Sequence, residues 1–203
     1  MEFWLVLLIF MIYLKQNCFK EEFILSQLIS KALLAKITKI KAIVTDVDGV
    51  LTDAGLYIDE NGNEPFAKFN IQDGYGVVIA HDCKLHVIVI SGRKSLCTEA
   101  RCKSLGIEHY YTGIKDKYSK LLEVAAILKL NLDEIAYIGD DIIDLKAMNN
   151  SGLKCVPQNA MTVVKKYSDY ITTAIGGTGV FREVVDLILE NQGVYISYLK
   201  KYL

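Results

Sequence analysis

The chain is short of several things, and each shortage removes a class of explanation. Two prolines, Pro65 and Pro157, in 203 residues exclude a proline-rich linker or a disordered chain. Lysine and arginine number 23 against 24 aspartates and glutamates, so the net charge is -1 and no basic surplus exists to track a nucleic-acid backbone. The three histidines, His81, His86 and His109, lack partners at ligand spacing. The five cysteines (Cys18, Cys83, Cys97, Cys102, Cys155) are odd in number and scattered, fitting neither a zinc site nor a disulfide framework. Reduced thiols and a cytoplasmic setting are therefore expected. There is no internal repeat and no low-complexity stretch, and the length suits one domain with a real core.

The one long apolar run is Glu2 to Leu14. As a helix it reaches about 20 Å against a hydrocarbon core of roughly 30 Å. It lacks the basic start and small-residue cleavage site of a secretory signal. A weak membrane anchor, a helix packed on a partner, and a later start such as Met11 are the open readings of residues 1–14. Residues 15–39 carry Phe23, Ile24, Leu28, Leu33, Leu34 and Ile37 near helical spacing, which predicts an amphipathic leading helix. A catalytic domain is expected over 40–192 and a tail over 193–203.

Within 40–192 short apolar runs alternate with helical patterns. Strands are expected at Ile40–Thr45, His86–Ile90, Glu108–Tyr111, Ile135–Ile138 and Leu153–Val156. Helices are expected at Val77–Cys83, Ser95–Leu105, Asp116–Lys129, Ile142–Asn149, Met161–Lys166 and Val180–Asn191. Continuous apolar strands between helices predict an α/β, Rossmann-like three-layer sandwich with a mostly parallel sheet. Leu56–Ile58 and Pro65–Phe69 flank Asn61-Gly62, which predicts a β-hairpin after the first strand.

Polar residues cluster at the carboxyl ends of these strands, the edge where open α/β sheets bind ligands. Asp46-Val47-Asp48-Gly49 follows the first strand, Ser91-Gly92-Arg93 the second, and Gly139-Asp140-Asp141 with Asp144 a later one; Asp116-Lys117 opens a helix. Lys115 and Lys120 compete with Lys117 for its place. Asp46, Asp140 and Asp141 repel one another unless a hard divalent cation lies among them, which points to Mg²⁺. A carboxylate facing a phosphate can attack phosphorus, and a second carboxyl can protonate the leaving oxygen and then activate water. Gly49 permits a sharp turn and close approach of its N–H to a ligand. The Gly176–Gly179 cluster reads as a turn into the last helix.

DVDGVLTD (46–53, from Asp46), ISGR (90–93), the second lysine of KDK (115–117) and GDDIID (139–144) together resemble the four motifs of the haloacid dehalogenase-like phosphatases. Lys68–Gly76, Gly176–Val184 and the hairpin make the chain most similar to the cap-less 3-deoxy-D-manno-octulosonate 8-phosphate phosphatase family. The resemblance spans about Ala35 to Gln192. It implies that Asp46 is the nucleophile, Asp48 the acid/base, Ser91 a phosphoryl ligand and Lys117 the residue that neutralises charge and orients Asp46. It implies metal binding by Asp46, Asp140 and the main-chain carbonyl of Asp48, supported by Asp141 and Asp144. Gly49, Asn70, Asp73, Gly92, Arg93 and Arg182 are the candidate substrate contacts, Arg93 suiting a sugar carboxylate. The family also implies a homotetramer whose hairpins and C-terminal segments complete neighbouring sites.

The expected reaction is Mg²⁺-dependent hydrolysis of the octulosonate 8-phosphate in lipopolysaccharide biosynthesis. Val180-Phe181 departs from the Ala-Val usual in that family and matches nonulosonate 9-phosphate phosphatases, the alternative enzyme reading. A signalling receiver domain is disfavoured because Lys117 precedes the GDD strand. A silent assembly module of a sugar-nucleotide synthetase is disfavoured because both Asp46 and Asp48 are present.

Overall fold

Four-residue apolar strands buried on both faces need helices on either side, and that requirement shapes the computed structural model, which describes residues 30–203. The elements are α1 (Lys31–Ile37), β1 (Ala42–Thr45), α2 (Ile71–Asp82), β2 (His86–Ile90), α3 (Leu96–Ser104), β3 (His109–Tyr111), α4 (Lys117–Leu128), β4 (Ile135–Ile138), α5 (Leu145–Asn149), β5 (Leu153–Val156), α6 (Thr162–Lys165), β6 (Tyr170–Ile171), α7 (Val180–Asn191) and α8 (Tyr195–Leu199). The expected apolar segment 1–14 and most of the expected leading helix lie outside the described residues. Among the described residues no helix is long and apolar enough to cross a membrane.

The strands form one six-stranded, all-parallel sheet in the order β3-β2-β1-β4-β5-β6. β1 is central, pairing Ala42–Thr45 with His86–Val89 on one side and Ile135–Ile138 on the other. Successive strand residues point to opposite faces. Ala42, Val44, Ile88, Ile90 and Tyr137 join Leu121 and Val124 of α4 and Met148 of α5 in one core. Thr45, Val87 and Val89 face Val77 of α2 and Phe181 of α7 on the other side. The connections from β1 to β2 and from β1's other neighbour β4 diverge, leaving a crevice beyond their carboxyl ends.

Three segments differ from expectation. Helix α2 starts at Ile71, six residues ahead of the expected Val77, because Asn70 caps it: Asn70 Oδ1 accepts from Gln72 N at 2.7 Å. The expected hairpin keeps its turn but not its ladder. Asp59 N donates to Asn63 O at 2.9 Å, and Tyr57 stacks on Phe66 at 4.9 Å between centroids, yet neither arm is a strand. Pro65 removes a donor from the second arm, and a lone two-stranded ribbon is marginal in water. The tail, finally, folds back as α8, with Tyr198 buried and its hydroxyl near those of Tyr75 and Tyr202. Cys83, Cys97, Cys102 and Cys155 are free, and Cys18 lies outside the described residues.

Candidate active site

Each acidic motif sits where a buried strand ends and its backbone loses its ladder. Asp46 follows β1 directly; its N–H still donates to Ile138 O of β4 at 2.9 Å. Its carboxylate is buried and held at both oxygens, Oδ1 accepting from Val47 N at 2.7 Å and Oδ2 lying 2.8 Å from Lys117 Nζ. Lys117, at the start of α4, is only 2 % exposed and also reaches Asp144 Oδ1 at 2.7 Å. Asp144 in turn accepts from Tyr137 Oη at 2.9 Å and from the N–H of Asp140 at 3.3 Å. Lys117 is thus a buried cation between two carboxylates, whereas Lys115 lines the open cleft and Lys120 pairs with Glu123. Of the three lysines, Lys117 is the one in contact with Asp46 and Asp144.

Carboxylate oxygens of Asp46, Asp140 and Asp144 lie within 4.8 Å of one another. Burial, and then the neighbouring Asp144, push Asp46 up to about 7 despite Lys117. Burial, Asp144 and Asp141 do the same to Asp140, also to about 7. Burial disfavours the charged lysine, but Asp144 and Asp46 outweigh it and hold Lys117 above its ordinary range. One lysine does not neutralise this cluster, and a set of hard oxygen donors with excess negative charge fits Mg²⁺. Gly49 makes the approach possible: at φ +82° it lies so close to Asp140 that a Cβ there would fall 2.1 Å from Oδ2.

Asp46, Asp48, Gly92, Arg93, Asp140 and Asp141 all line one open cleft of about 500 Å³. Asp48 is half-buried and gripped by Arg93, whose Nε lies 3.1 Å from Oδ2 and Nη2 2.5 Å from Oδ1. Ser91 Oγ donates to Arg93 O at 3.1 Å and accepts from Arg93 N at 3.2 Å, shaping the turn that carries Gly92. Asp141 caps the short turn Ile142–Asp144 through Ile142 N at 2.6 Å.

Asn70, Asp73 and Arg182 do not line this cleft within the chain. Asn70 is the α2 cap, and Asp73 Oδ1 accepts from Arg182 N at 2.9 Å at the start of α7. The Arg182 side chain is spent on Asp186, at 2.9 Å, and on Tyr195 Oη, at 3.0 Å. Asn70 and Asp73 sit at the start of α2 and Arg182 in the first turn of α7, so the three meet where these two helices pack. Sequence reasoning missed Tyr137, hidden as one more apolar position in β4, and Glu64, which contacts Arg93 Nη1 and carried no signal apart from its turn.

The glycine cluster before α7 underpins the catalytic loop. Gly177 N donates to Val50 O at 2.9 Å, and a Cβ on Gly176 would fall 2.1 Å from Gly49 O. The turn reading of Gly176–Gly179 holds, with this packing as its cause. Val180 and Phe181 are wholly buried, and Phe181 abuts Gly76 of α2. Both residues of that departure from the octulosonate pattern thus lie in the core and do not line the cleft.

A parallel sheet ending in DxD, a Ser-Gly turn, a buried lysine and a GDD turn defines a haloacid dehalogenase-like hydrolase, and the family model of that description matches residues 107–184. The 3-deoxy-D-manno-octulosonate 8-phosphate phosphatase of Escherichia coli K12 is 42 % identical over 168 residues, covering 81 % of this chain and 87 % of its own. The enzyme of that name from Haemophilus influenzae is 37 % identical over 158 residues, covering 78 % and 87 %. A solved structure of the Moraxella catarrhalis phosphatase with magnesium, phosphate and KDO superposes at TM-score 0.80 with 35 % identity, covering 84 % of this chain and 97 % of that one. This chain belongs to the 3-deoxy-D-manno-octulosonate 8-phosphate phosphatase family.

Proposed function

We propose that this chain is a Mg²⁺-dependent phosphatase that hydrolyses 3-deoxy-D-manno-octulosonate 8-phosphate to the free sugar acid and phosphate, in lipopolysaccharide biosynthesis. The observation that carries the reading is the Asp46–Lys117–Asp144 core beside Asp48 and Asp140 on one cleft. Asp46, Asp140 and the Asp48 main-chain carbonyl would hold the metal, supported by Asp141 and Asp144. When bound, Mg²⁺ neutralises the carboxylates and the phosphoryl oxygens.

Asp46 attacks phosphorus, the ester P–O bond breaks, and Asp48 gives its proton to the departing sugar oxygen. The product is the sugar acid and an aspartyl-phosphate on Asp46. Asp48, now a carboxylate, takes a proton from water as that water attacks phosphorus, and the bond to Asp46 breaks. Lys117 and the Val47 N–H fix the attacking carboxylate, which lowers the entropy cost of reaching the in-line geometry. In this reading Ser91, Gly49 and Gly92 receive the transferred group. Arg93 takes the sugar carboxylate in a two-pronged contact.

A cytoplasmic homotetramer fits the same reading. Leu56, Ile58 and Phe66 each expose more than half of their surface on the arm that lacks a ladder, a patch suited to burial against another copy. Phosphate release from a panel of sugar phosphates, with and without Mg²⁺, tests the function. Preference for the octulosonate 8-phosphate over the nonulosonate 9-phosphate supports it, and no turnover of any panel member refutes it. Asp46→Asn should abolish turnover with the fold unchanged.

A further inference from the structure

Arg93 is committed on both sides of its guanidinium. The Nε/Nη2 edge holds Asp48, and Nη1 holds Glu64. Glu64 belongs to the 54–69 arm, most of which is exposed, yet its side chain is only 15 % exposed. The backbone of the same residue is tied to α3, where Cys97 Sγ lies 3.8 Å from Glu64 O. Glu64 is therefore fixed at main chain and side chain alike, in a segment otherwise held by its turn, the Tyr57–Phe66 contact and the Lys68–Asp53 pair.

We propose that Glu64 is a positioning residue that sets Arg93 for recognition of the substrate carboxylate. This rests on the phosphatase reading above. One guanidinium edge accepts one bidentate carboxylate, so Asp48 and a substrate carboxylate exclude each other on the Nε/Nη2 edge. Arg93 must pass from one to the other without losing its place at the mouth of the cleft. A long side chain held by Asp48 alone would be free to follow Asp48 or swing into solvent once that contact breaks. The Nη1 contact to Glu64 gives it a pivot. Glu64 thus acts on substrates through the carboxylate they carry, leaving phosphoryl transfer itself to Asp46 and Asp48.

The test compares 3-deoxy-D-manno-octulosonate 8-phosphate with the carboxylate-free p-nitrophenyl phosphate, using full-length wild type, Glu64→Gln, Glu64→Ala and Arg93→Ala. Glu64→Ala should raise KM for the sugar-acid phosphate about tenfold, the scale of losing a charge-assisted hydrogen bond. Its kcat, and kcat/KM for p-nitrophenyl phosphate, should stay within about twofold. Glu64→Gln, which retains an acceptor oxygen, should restore most of the KM. In an Arg93→Ala background Glu64→Ala should add nothing. A parallel fall on both substrates, an unchanged KM, or a Glu64 effect that persists without Arg93 overturns the proposal. Failure of the wild-type protein to turn over either ester would instead overturn the phosphatase reading.

Discussion

Replacing Lys117 by methionine removes the one buried cation from between two buried carboxylates. Nζ stands 2.8 Å from Asp46 and 2.7 Å from Asp144, with the lysine 2 % exposed. Taking away one partner of such a pair leaves uncompensated charge in the interior, which costs about 3–5 kcal/mol. The carboxylates can limit that cost by keeping a proton. Asp46 already titrates up to about 7 with the lysine present, and loss of Nζ moves it higher. Above that pH the variant's native state holds a proton that the wild-type native state has released. Because stability falls with pH wherever the native state binds more protons than the unfolded one, the gap between the proteins widens by up to about 1.4 kcal/mol per pH unit. Urea melts in EDTA at fixed protein concentration, near pH 7 and again about 1.5 units higher, measure both quantities. Saturating Mg²⁺ should narrow the gap by placing a second cation beside Asp46. A destabilisation below about 1 kcal/mol, or one equal at both pH values, refutes this account of the core.

Gly49→Ala should cost about 1–2 kcal/mol for a side chain in the left-handed region. Its Cβ, 2.1 Å from Asp140 Oδ2, should also displace that ligand and weaken Mg²⁺ binding by about 10–100-fold in titration calorimetry. Asp46 and Asp140 are both raised from 3.8 to about 7, so the metal-free native state binds more protons than the unfolded one across that window. Melts in EDTA should therefore lose stability as pH rises from about 5 to about 7.5, and Mg²⁺ binding should tighten over the same range with proton release. Ile58→Asp with Phe66→Asp should shift the protein toward monomer in sedimentation equilibrium while the secondary structure by circular dichroism stays intact.

The sheet was legible because each parallel strand is a short apolar run ending in a polar turn, and β2, β4 and β5 carry the expected bounds. The two-residue β6 was not, since Tyr170-Ile171 makes too short a run to separate from a loop. Among the acids, Asp46, Asp48, Asp140 and Asp141 announced themselves by spacing at strand ends, and Lys117 was separable from Lys115 only once burial was known. Glu64 and Tyr137 depend on the three-dimensional meeting of segments far apart in sequence, so local pattern gave them no signal. Asn70, Asp73 and Arg182 illustrate the converse: polar residues near a pocket motif also cap and join helices, and local pattern does not separate that use from ligand contact.

The contact of Gly177 with Val50 bears on how the enzyme comes into being. The loop carrying Asp46 and Asp48 is made early in synthesis, but the backbone that braces it is encoded more than a hundred residues later, just before α7. Central strand β1 likewise waits for β4 on its far side. A nascent chain that has exposed Asp46 and Asp48 to solvent therefore lacks the brace on their loop until Gly176 and Gly177 emerge. Premature termination before Gly176 should leave that loop without its brace, and pairing of strands as far apart in sequence as β1 and β4 slows folding relative to local contacts. The clustered acids meet only in a completed molecule.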